Sequence, residues 1–414
     1  MTFLRLLYNF LIFLSWQGLK VIALFNPKIR LFVSGRKTTF QQLKNTIQPT
    51  EKWIWMHVAS LGEFEQGLPI LEGLRKSYPE HKIILTFFSP SGFEVKKNTP
   101  FANVTVYLPM DTKSNAVQFL DTVKPHLALF VKYEIWPNYL FELQKRNIPT
   151  LLVSAIFSKR QSYFKPWGGF MRYSLKSFAH FFVQDETSKK LLKSIGFENV
   201  TVSGDTRFDR VSQILENNNS LSFMDSFKGN SPCMVAGSTW PEDEKILLEY
   251  INTVETSMKF VIAPHEIKTT HIEKITNTLT KKVVCYSQKE IKNLNDFDVM
   301  IIDTIGLLTK IYSYADISYV GGAFATGLHN TLEPATFGVP IIIGPDYEGF
   351  KEAEDLVDLK GIHPIANFEE FSTVMNIFVS DASIRKENGQ INATYVQENQ
   401  GATTLILKHI KTFL

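Results

Sequence analysis

The sequence predicts an α/β protein of two Rossmann-like domains facing across a cleft, preceded by a hydrophobic helix. Three observations predict it. From Trp53 onward, short apolar runs ending in glycine or small polar residues alternate with stretches of helical spacing, the pattern of parallel strands joined by crossover helices. A polar, turn-rich run over 211–231, with Asn217-Asn-Asn-Ser220 and Lys228-Gly-Asn-Ser-Pro232, interrupts the alternation, which then restarts. A chain of 414 residues is also too long for one compact core. The resulting domains are 1–25, a membrane-anchoring helix; 26–215, the first Rossmann-like domain; 230–395, the second; and 396–414, a C-terminal amphipathic helix expected to pack back on the first.

The first 25 residues are rich in Phe, Leu and Ile, and residues 1–50 carry seven basic residues, from Arg5 to Lys44, and no acid. Only 14 residues separate Arg5 from Lys20, short of the roughly 20 that span a bilayer as a helix. No small-residue cleavage site follows, which argues against a secretory signal. The expectation is an embedded or interfacial anchor whose basic collar faces an anionic membrane surface. The alternative is a hydrophobic helix that packs on the protein itself.

Trp53 to Ser60 reads as a strand, Leu61-Gly-Glu-Phe64 as a turn, and Glu65 to Ser77 as a helix with Leu68, Leu71 and Leu74 on one face. Glu63 is thereby placed at the carboxyl end of a strand, where open α/β sheets hold ligands. It is either a general base at the mouth of the cleft or a carboxylate compensating a helix dipole. Further strands are expected at 82–88, 104–108, 126–131, 150–154, 181–185 and 200–203. After the boundary they recur at 234–236, 260–263 and 299–302, followed by a helix over 307–314. Tyr319-Val-Gly-Gly322 then ends a strand, a helix runs from about Asn330 to Phe337, and Val339 to Ile343 forms the next strand. The two glycines read as a close approach for a ligand, the Asn330-Thr331 helix start as a phosphate site, and Glu333 as an acceptor for ribose hydroxyls.

The net charge of +3 gives no support for nucleic-acid binding. Cys233 and Cys285 fit neither a disulfide framework nor a metal site and read as small buried hydrophobes. With no Cys/His metal spacing and no Asp-x-Asp at a strand end, no metal or other cofactor is expected. A nucleotide-sugar enzyme of this kind would hold the departing phosphate with basic side chains and helix dipoles. Composition says nothing of oligomeric state.

Several motifs together resemble one family. They are His57-Val-Ala-Ser-Leu-Gly-Glu-Phe64, Glu134-Ile-Trp-Pro-Asn138, Gly204-Asp-Thr-Arg-Phe-Asp209, Ala236-Gly-Ser-Thr239 and Gly327-Leu-His-Asn-Thr-Leu-Glu-Pro334. With the basic hydrophobic N-terminus, they are similar to the 3-deoxy-D-manno-octulosonic acid (Kdo) transferases of lipopolysaccharide assembly, which have the GT-B glycosyltransferase fold. The resemblance implies inverting, metal-independent transfer of Kdo from CMP-Kdo to the lipid A precursor (lipid IVA) at the cytoplasmic face of the inner membrane. By matching position it implies Glu63 as the base and Glu134 with Arg207 as the pair supporting the transition state. It further implies a CMP site from His265, Glu266, Gly306, Leu307, Leu308, Asn330, Thr331, Leu332 and Glu333. The chain departs from the family pattern in three places. Lys132 stands where an acid is common, Gly306-Leu307-Leu308 where Gly-Glu-Leu is common, and no basic residue stands beside His265. Another GT-B enzyme, a UDP-sugar transferase or epimerase, is the alternative, and a non-catalytic lipid-binding protein a further one.

Overall fold

The computed structural model describes residues 2–48, 50–255, 257–290 and 293–414. They form two compact units, one running to Arg210 and including Gln400–Leu414, the other comprising Val211–Asn399.

The first unit is built on seven strands: β1 (Lys52–Val58), β2 (His81–Phe87), β3 (Val104–Tyr107), β4 (Leu127–Val131), β5 (Thr150–Ala155), β6 (His180–Val183) and β7 (Val200–Val202). Their order is β3-β2-β1-β4-β5-β6-β7, every pairing parallel. A parallel sheet is covered on both faces, which is why β1 and β4 are nearly continuous apolar runs. Alternate residues of β1 serve the two layers. Trp53 and Trp55 join Phe119, Phe130 and Tyr139 on one side, while Ile54, Met56 and Val58 join Leu71, Leu74 and Leu129 on the other.

The second unit repeats the plan with β8 (Cys233–Thr239), β9 (Lys259–Pro264), β10 (Val283–Cys285), β11 (Val299–Ile301), β12 (Ile317–Val320), β13 (Ile341–Ile343) and β14 (Ile362–Pro364). The order is β10-β11-β9-β8-β12-β13-β14, again all parallel. In each sheet the winding reverses once, between β1 and β4 and between β8 and β12. These switch points leave a crevice beyond the carboxyl ends of the two strands, and that crevice is where doubly wound sheets hold ligands.

Several details differ from the sequence expectation. Leu61-Gly-Glu-Phe64 is not a turn but the first turn of the helix Leu61–Ser77, because Glu63 reaches back to the Ala59 and Ser60 N–H groups and caps it. The 211–231 run, read as the domain boundary, begins where the second unit does, and the helices Thr206–Glu216 and Ser222–Lys228 cross it. The helix expected from Asn330 to Phe337 is only Leu332–Thr336. Cys233 is buried, but Cys285 only partly, and both are free thiols.

The C-terminal helix Ala402–Ile410 belongs to the first unit. Ile406 and Ile410 are fully buried against Leu71 and Leu74, and bare Gly73 lets Leu407 lie over the helix Leu61–Ser77. Asp209 holds the start of this C-terminal helix, its two oxygens accepting from the Gly401 and Thr403 N–H groups at 2.6 Å.

At the other end, Thr2–Ile22 is helical. Ile12, Trp16 and Leu19 pack on Ala23, Phe32, Val33 and Met110. Tyr8 donates to buried Asp111 at 2.7 Å. The opposite side leaves Phe3, Leu6, Phe10 and Phe13 each more than half exposed. Among the described residues no helix is long and apolar enough to cross a membrane.

If the C-terminal helix is part of the first core, Ile406→Ala should cost about 2–5 kcal/mol of that unit's stability. Urea unfolding followed by circular dichroism measures it, and an unchanged first transition would contradict the assignment.

Candidate active site

Both switch points carry residues expected from the sequence. In the first unit the chain leaving β1 supplies Glu63 and the chain leaving β4 supplies Lys132, Tyr133 and Glu134. Glu63 is 9% exposed. Its Oε2 accepts two backbone N–H groups, from Ala59 and Ser60, while Oε1 has no partner among the described residues. Burial, then the charge of Glu134, pushes its carboxyl up to about 7; the Ala59 and Ser60 hydrogen bonds and Lys132 oppose the rise. A carboxylate with an unbonded oxygen that titrates near neutrality is suited to taking a proton.

Glu134 is also buried, and its Oε2 is the end of a chain of donors. Trp55 Nε1 donates to Thr86 Oγ1 at 2.8 Å, and Thr86 Oγ1 lies 2.8 Å from His57 Nδ1. His57 Nε2 lies 2.9 Å from Glu134 Oε2, to which Trp136 Nε1 also donates at 2.7 Å. A bare His57 Nε2 would set a lone pair against the carboxylate oxygen. A proton on Nε2 therefore serves the Glu134 contact, while Nδ1 lies beside both the Thr86 hydroxyl and the Thr86 carbonyl oxygen, the latter 3.1 Å away. Neighbouring strands make this possible, since His57 is in register with Thr86 on β2 and with Phe130 on β4.

Lys132 adopts a left-handed backbone (φ 63°), an uncommon and costly state for a residue with a Cβ, and turns the chain sharply out of β4. Its charge lowers the Glu63 carboxyl, so the lysine that stands in place of a common acid is part of the site. Tyr133 is half-exposed; burial and the Glu63 charge raise its hydroxyl while Arg207 lowers it, which puts all three within one electrostatic neighbourhood. Arg207 Nε pairs with Asp205 at 2.8 Å, and the Arg207 N–H also donates to Asp205 at 2.9 Å. Gln66 backs Asp205 from the helix Leu61–Ser77. The structure thus brings Glu63, Glu134 and Arg207 to one edge.

In the second unit, the switch point is organised by Asp243, which is fully buried. It accepts from Trp240 N–H at 2.8 Å, Gly322 N–H at 3.0 Å and Tyr319 hydroxyl at 2.7 Å, and burial raises its carboxyl. Here the reading of the two glycines needs correction. A Cβ on Gly321 would lie 2.5 Å from Ser238 O and 2.8 Å from Asp243 Oδ2, and one on Gly322 would lie 2.4 Å from Gly327 O. The glycines admit the protein's own backbone and Asp243.

His265 follows β9 and stacks on Trp240 at 4.6 Å and 20°, with His329 4.6 Å from His265. Trp240 Nε1 donates to His329 Nε2 at 3.1 Å, and burial, aided by His265, pushes the His329 imidazole down to about 4. His329 is therefore a neutral ring. Glu266 is bound by Lys268 at 2.6 Å, so the cation missing beside His265 stands three residues on. Thr331 precedes the short helix, Leu332 is buried, and Asn330 Oδ1 accepts the Leu332 N–H at 3.2 Å, engaging one donor that was expected to be free for phosphate. Glu333 Oε1 accepts from Asn330 Nδ2 at 3.1 Å and Oε2 from Thr309 at 2.8 Å. The Thr309 bond ties Glu333 to the helix Leu308–Ile311, which follows Gly306 (φ 94°) and Leu307. The residues expected at the nucleotide thus fall into a His265–Glu266 group and a Gly306–Leu308 group joined to Asn330–Glu333. Trp240 and Asp243 were not read from the sequence. Among the described residues no group of three His, Cys, Asp or Glu is placed to hold a metal ion.

Two parallel sheets with crossover helices and functional edges at their switch points define a GT-B-like α/β protein. A solved UDP-GlcNAc 2-epimerase from Neisseria meningitidis has the same fold, with a TM-score of 0.63 at 15% identity over 87% of this chain and 100% of that one. Residues 34–210 match the family model described as 3-deoxy-D-manno-octulosonic-acid transferase (kdotransferase). The 3-deoxy-D-manno-octulosonic acid transferase of Rickettsia felis is 28% identical over 87% of this chain and 79% of its own length. That of Haemophilus influenzae is 26% identical over 89% of each. The similarity to these transferases extends beyond the residues of the family model, over most of the chain.

Raising the folded-state value of Glu63 above the ordinary 4.5 costs stability. The cost is absent below about pH 4.5, grows with pH and is complete above about 7. Glu63→Gln keeps an oxygen for the two backbone N–H groups and removes the charge. It should raise stability at pH 8 by up to about 3 kcal/mol and leave it little changed at pH 4. Thermal melts at both values test this, and a variant less stable at pH 8 would contradict the account.

Proposed function

We propose that this protein is an inverting, metal-independent glycosyltransferase that moves Kdo from CMP-Kdo to the lipid A precursor in lipopolysaccharide synthesis. The observation that carries the reading is Glu63, a buried carboxylate with an unbonded oxygen whose titration is lifted to about 7 beside a second, firmly held glutamate, in a chain related to Kdo transferases. In this reading Glu63 Oε1 takes the proton of the acceptor hydroxyl. The freed oxygen bonds to the anomeric carbon of Kdo as the bond from that carbon to the CMP phosphate oxygen breaks. CMP leaves with the bonding electrons, and Glu63 passes its proton to solvent.

Glu134 acts through charge, since its Oε2 is occupied by His57 and Trp136. Arg207 offsets the negative charge that builds on the departing phosphate, in an orientation fixed by Asp205. His265, Glu266, Gly306, Leu307, Leu308, Asn330, Thr331, Leu332 and Glu333 are assigned to the CMP moiety. Trp240 is added as the ring that stacks on His265 and hydrogen-bonds His329.

The acceptor is a lipid, and the exposed apolar side of Thr2–Ile22 suits the membrane in which it resides. Lying in the interface, with Lys20, Lys28, Arg30 and Lys37 near anionic headgroups, is the mode this helix supports. The cytoplasmic face of the inner membrane is the location consistent with a nucleotide-sugar donor.

The test is release of CMP from CMP-Kdo by the purified protein, with and without tetra-acylated lipid A precursor. Lipid-dependent release with a mass gain of whole Kdo units is expected, and Glu63→Ala should lower kcat by roughly 10²–10⁴-fold. Turnover of a UDP-sugar and none of CMP-Kdo would overturn the reading.

A further inference from the structure

The crease between the N-terminal helix Thr2–Ile22 and the next helix, Pro27–Gly35, encloses a cavity of about 870 Å³. Buried Ala23 and Val33 form an apolar floor with half-buried Trp16 beside them, and exposed Lys20, Arg30 and Lys37 stand around it. Arg30 Nε is pinned to Ala23 O at 3.3 Å, and its terminal nitrogens have no partner among the described residues. Lys20 Nζ lies 5.4 Å from the Trp16 ring centre and 3.3 Å from Gln17 Oε1. None of the three cations has an acidic partner among the described residues, and no acid occurs before Glu51. Three cations without a counter-ion, over an apolar floor, are complementary to an anion that carries hydrocarbon. Next to the cavity Val21, Ile22, Leu24 and Phe25 are all exposed, so the apolar surface continues outward from its mouth.

We propose that this cavity is a discrete binding site for one anionic glycerophospholipid of the bilayer. The headgroup phosphate sits among Lys20, Arg30 and Lys37, and the glycerol end of the acyl chains rests on Trp16 and Leu24. A free phosphate would leave the apolar floor unused, whereas a phospholipid uses both halves of the site. The proposal rests on the membrane reading given above but needs neither donor nor acceptor. It differs from a diffuse basic collar in one respect: position within the cavity matters, and charge alone does not.

The experiment compares two variants of the full chain with equal charge loss. Lys20→Gln/Lys37→Gln removes two cavity cations, and Lys28→Gln/Lys44→Gln removes two cations of the same segment outside it. Binding to phosphatidylcholine vesicles with and without phosphatidylglycerol is read by co-sedimentation, after equal melting temperatures confirm folding. The expected result is that the cavity pair weakens binding to the anionic vesicles about tenfold more than the outer pair. Brominated phosphatidylglycerol should quench a fluorescence component of the wild type that Trp16→Phe lacks. Equal weakening by the two pairs would overturn the site in favour of a diffuse collar. Displacement of the vesicles by inorganic phosphate at equal lipid-phosphate concentration would overturn its lipid character. If the wild type ignored anionic vesicles altogether, the membrane reading itself would fall, while the transfer assay would still decide the reaction.

Discussion

The hydrogen bonds that end on Glu134 Oε2 are the constraint on which the first unit's chemistry depends. They fix a negative charge at the edge of β4, and that charge, together with burial, is what sets Glu63 apart from an ordinary helix-capping glutamate. The chain of donors crosses three adjacent strands, from Thr86 on β2 through His57 on β1 to the segment after β4. It exists only because the winding of the sheet reverses between β1 and β4. Fold and chemistry are therefore linked: the topology opens a crevice at that edge, and the same adjacency brings a histidine from inside the sheet to the carboxylate beside the crevice.

The second unit solves a related problem with Asp243. One buried carboxylate gathers the Trp240 and Gly322 N–H groups and the Tyr319 hydroxyl, and so fixes the two chains that leave β8 and β12. The rings of Trp240, His265 and His329 then stand together, with Trp240 stacked on His265 and held to the neutral His329 ring by its Nε1–H. In both units a buried, hydrogen-bonded acid supports its neighbours in the site.

Much of the fold was legible. Strands buried on both faces write themselves as apolar runs, and the restart of the alternation after residue 231 marked the second sheet. The short strands Val283–Cys285 and Ile362–Pro364 were missed because three residues give no period to read. The polar run at 211–231 did not show its helices, because they pack only a narrow face, with Val211, Ile214, Met224 and Phe227 buried. In the candidate site, Glu63, Glu134 and Arg207 were singled out through their motifs, and the structure brings them to one edge. Their supports were not singled out: the Thr86–His57 contact and the Asp243 bonds to Tyr319 and Gly322 join segments distant in sequence, and the positive φ at Lys132 belongs to a residue type that rarely adopts it. One signal was present. His57 interrupts an otherwise apolar strand, and a polar side chain buried in a parallel sheet needs a partner. The Gly321-Gly322 reading failed for a complementary reason, since sequence shows that a side chain is absent and not what takes its place.

The most direct measurement is the pH dependence of kcat/KM for Kdo transfer in the wild type and in Glu134→Gln, comparing only where the acid limb falls. The wild-type limb is expected near pH 7, the value to which Glu63 is lifted. Removing the Glu134 charge should move it toward acid by about one unit or more, with burial alone sustaining the remainder of the rise. A limb that stays in place, or moves to higher pH, would contradict the claim that Glu134 tunes Glu63 as the base.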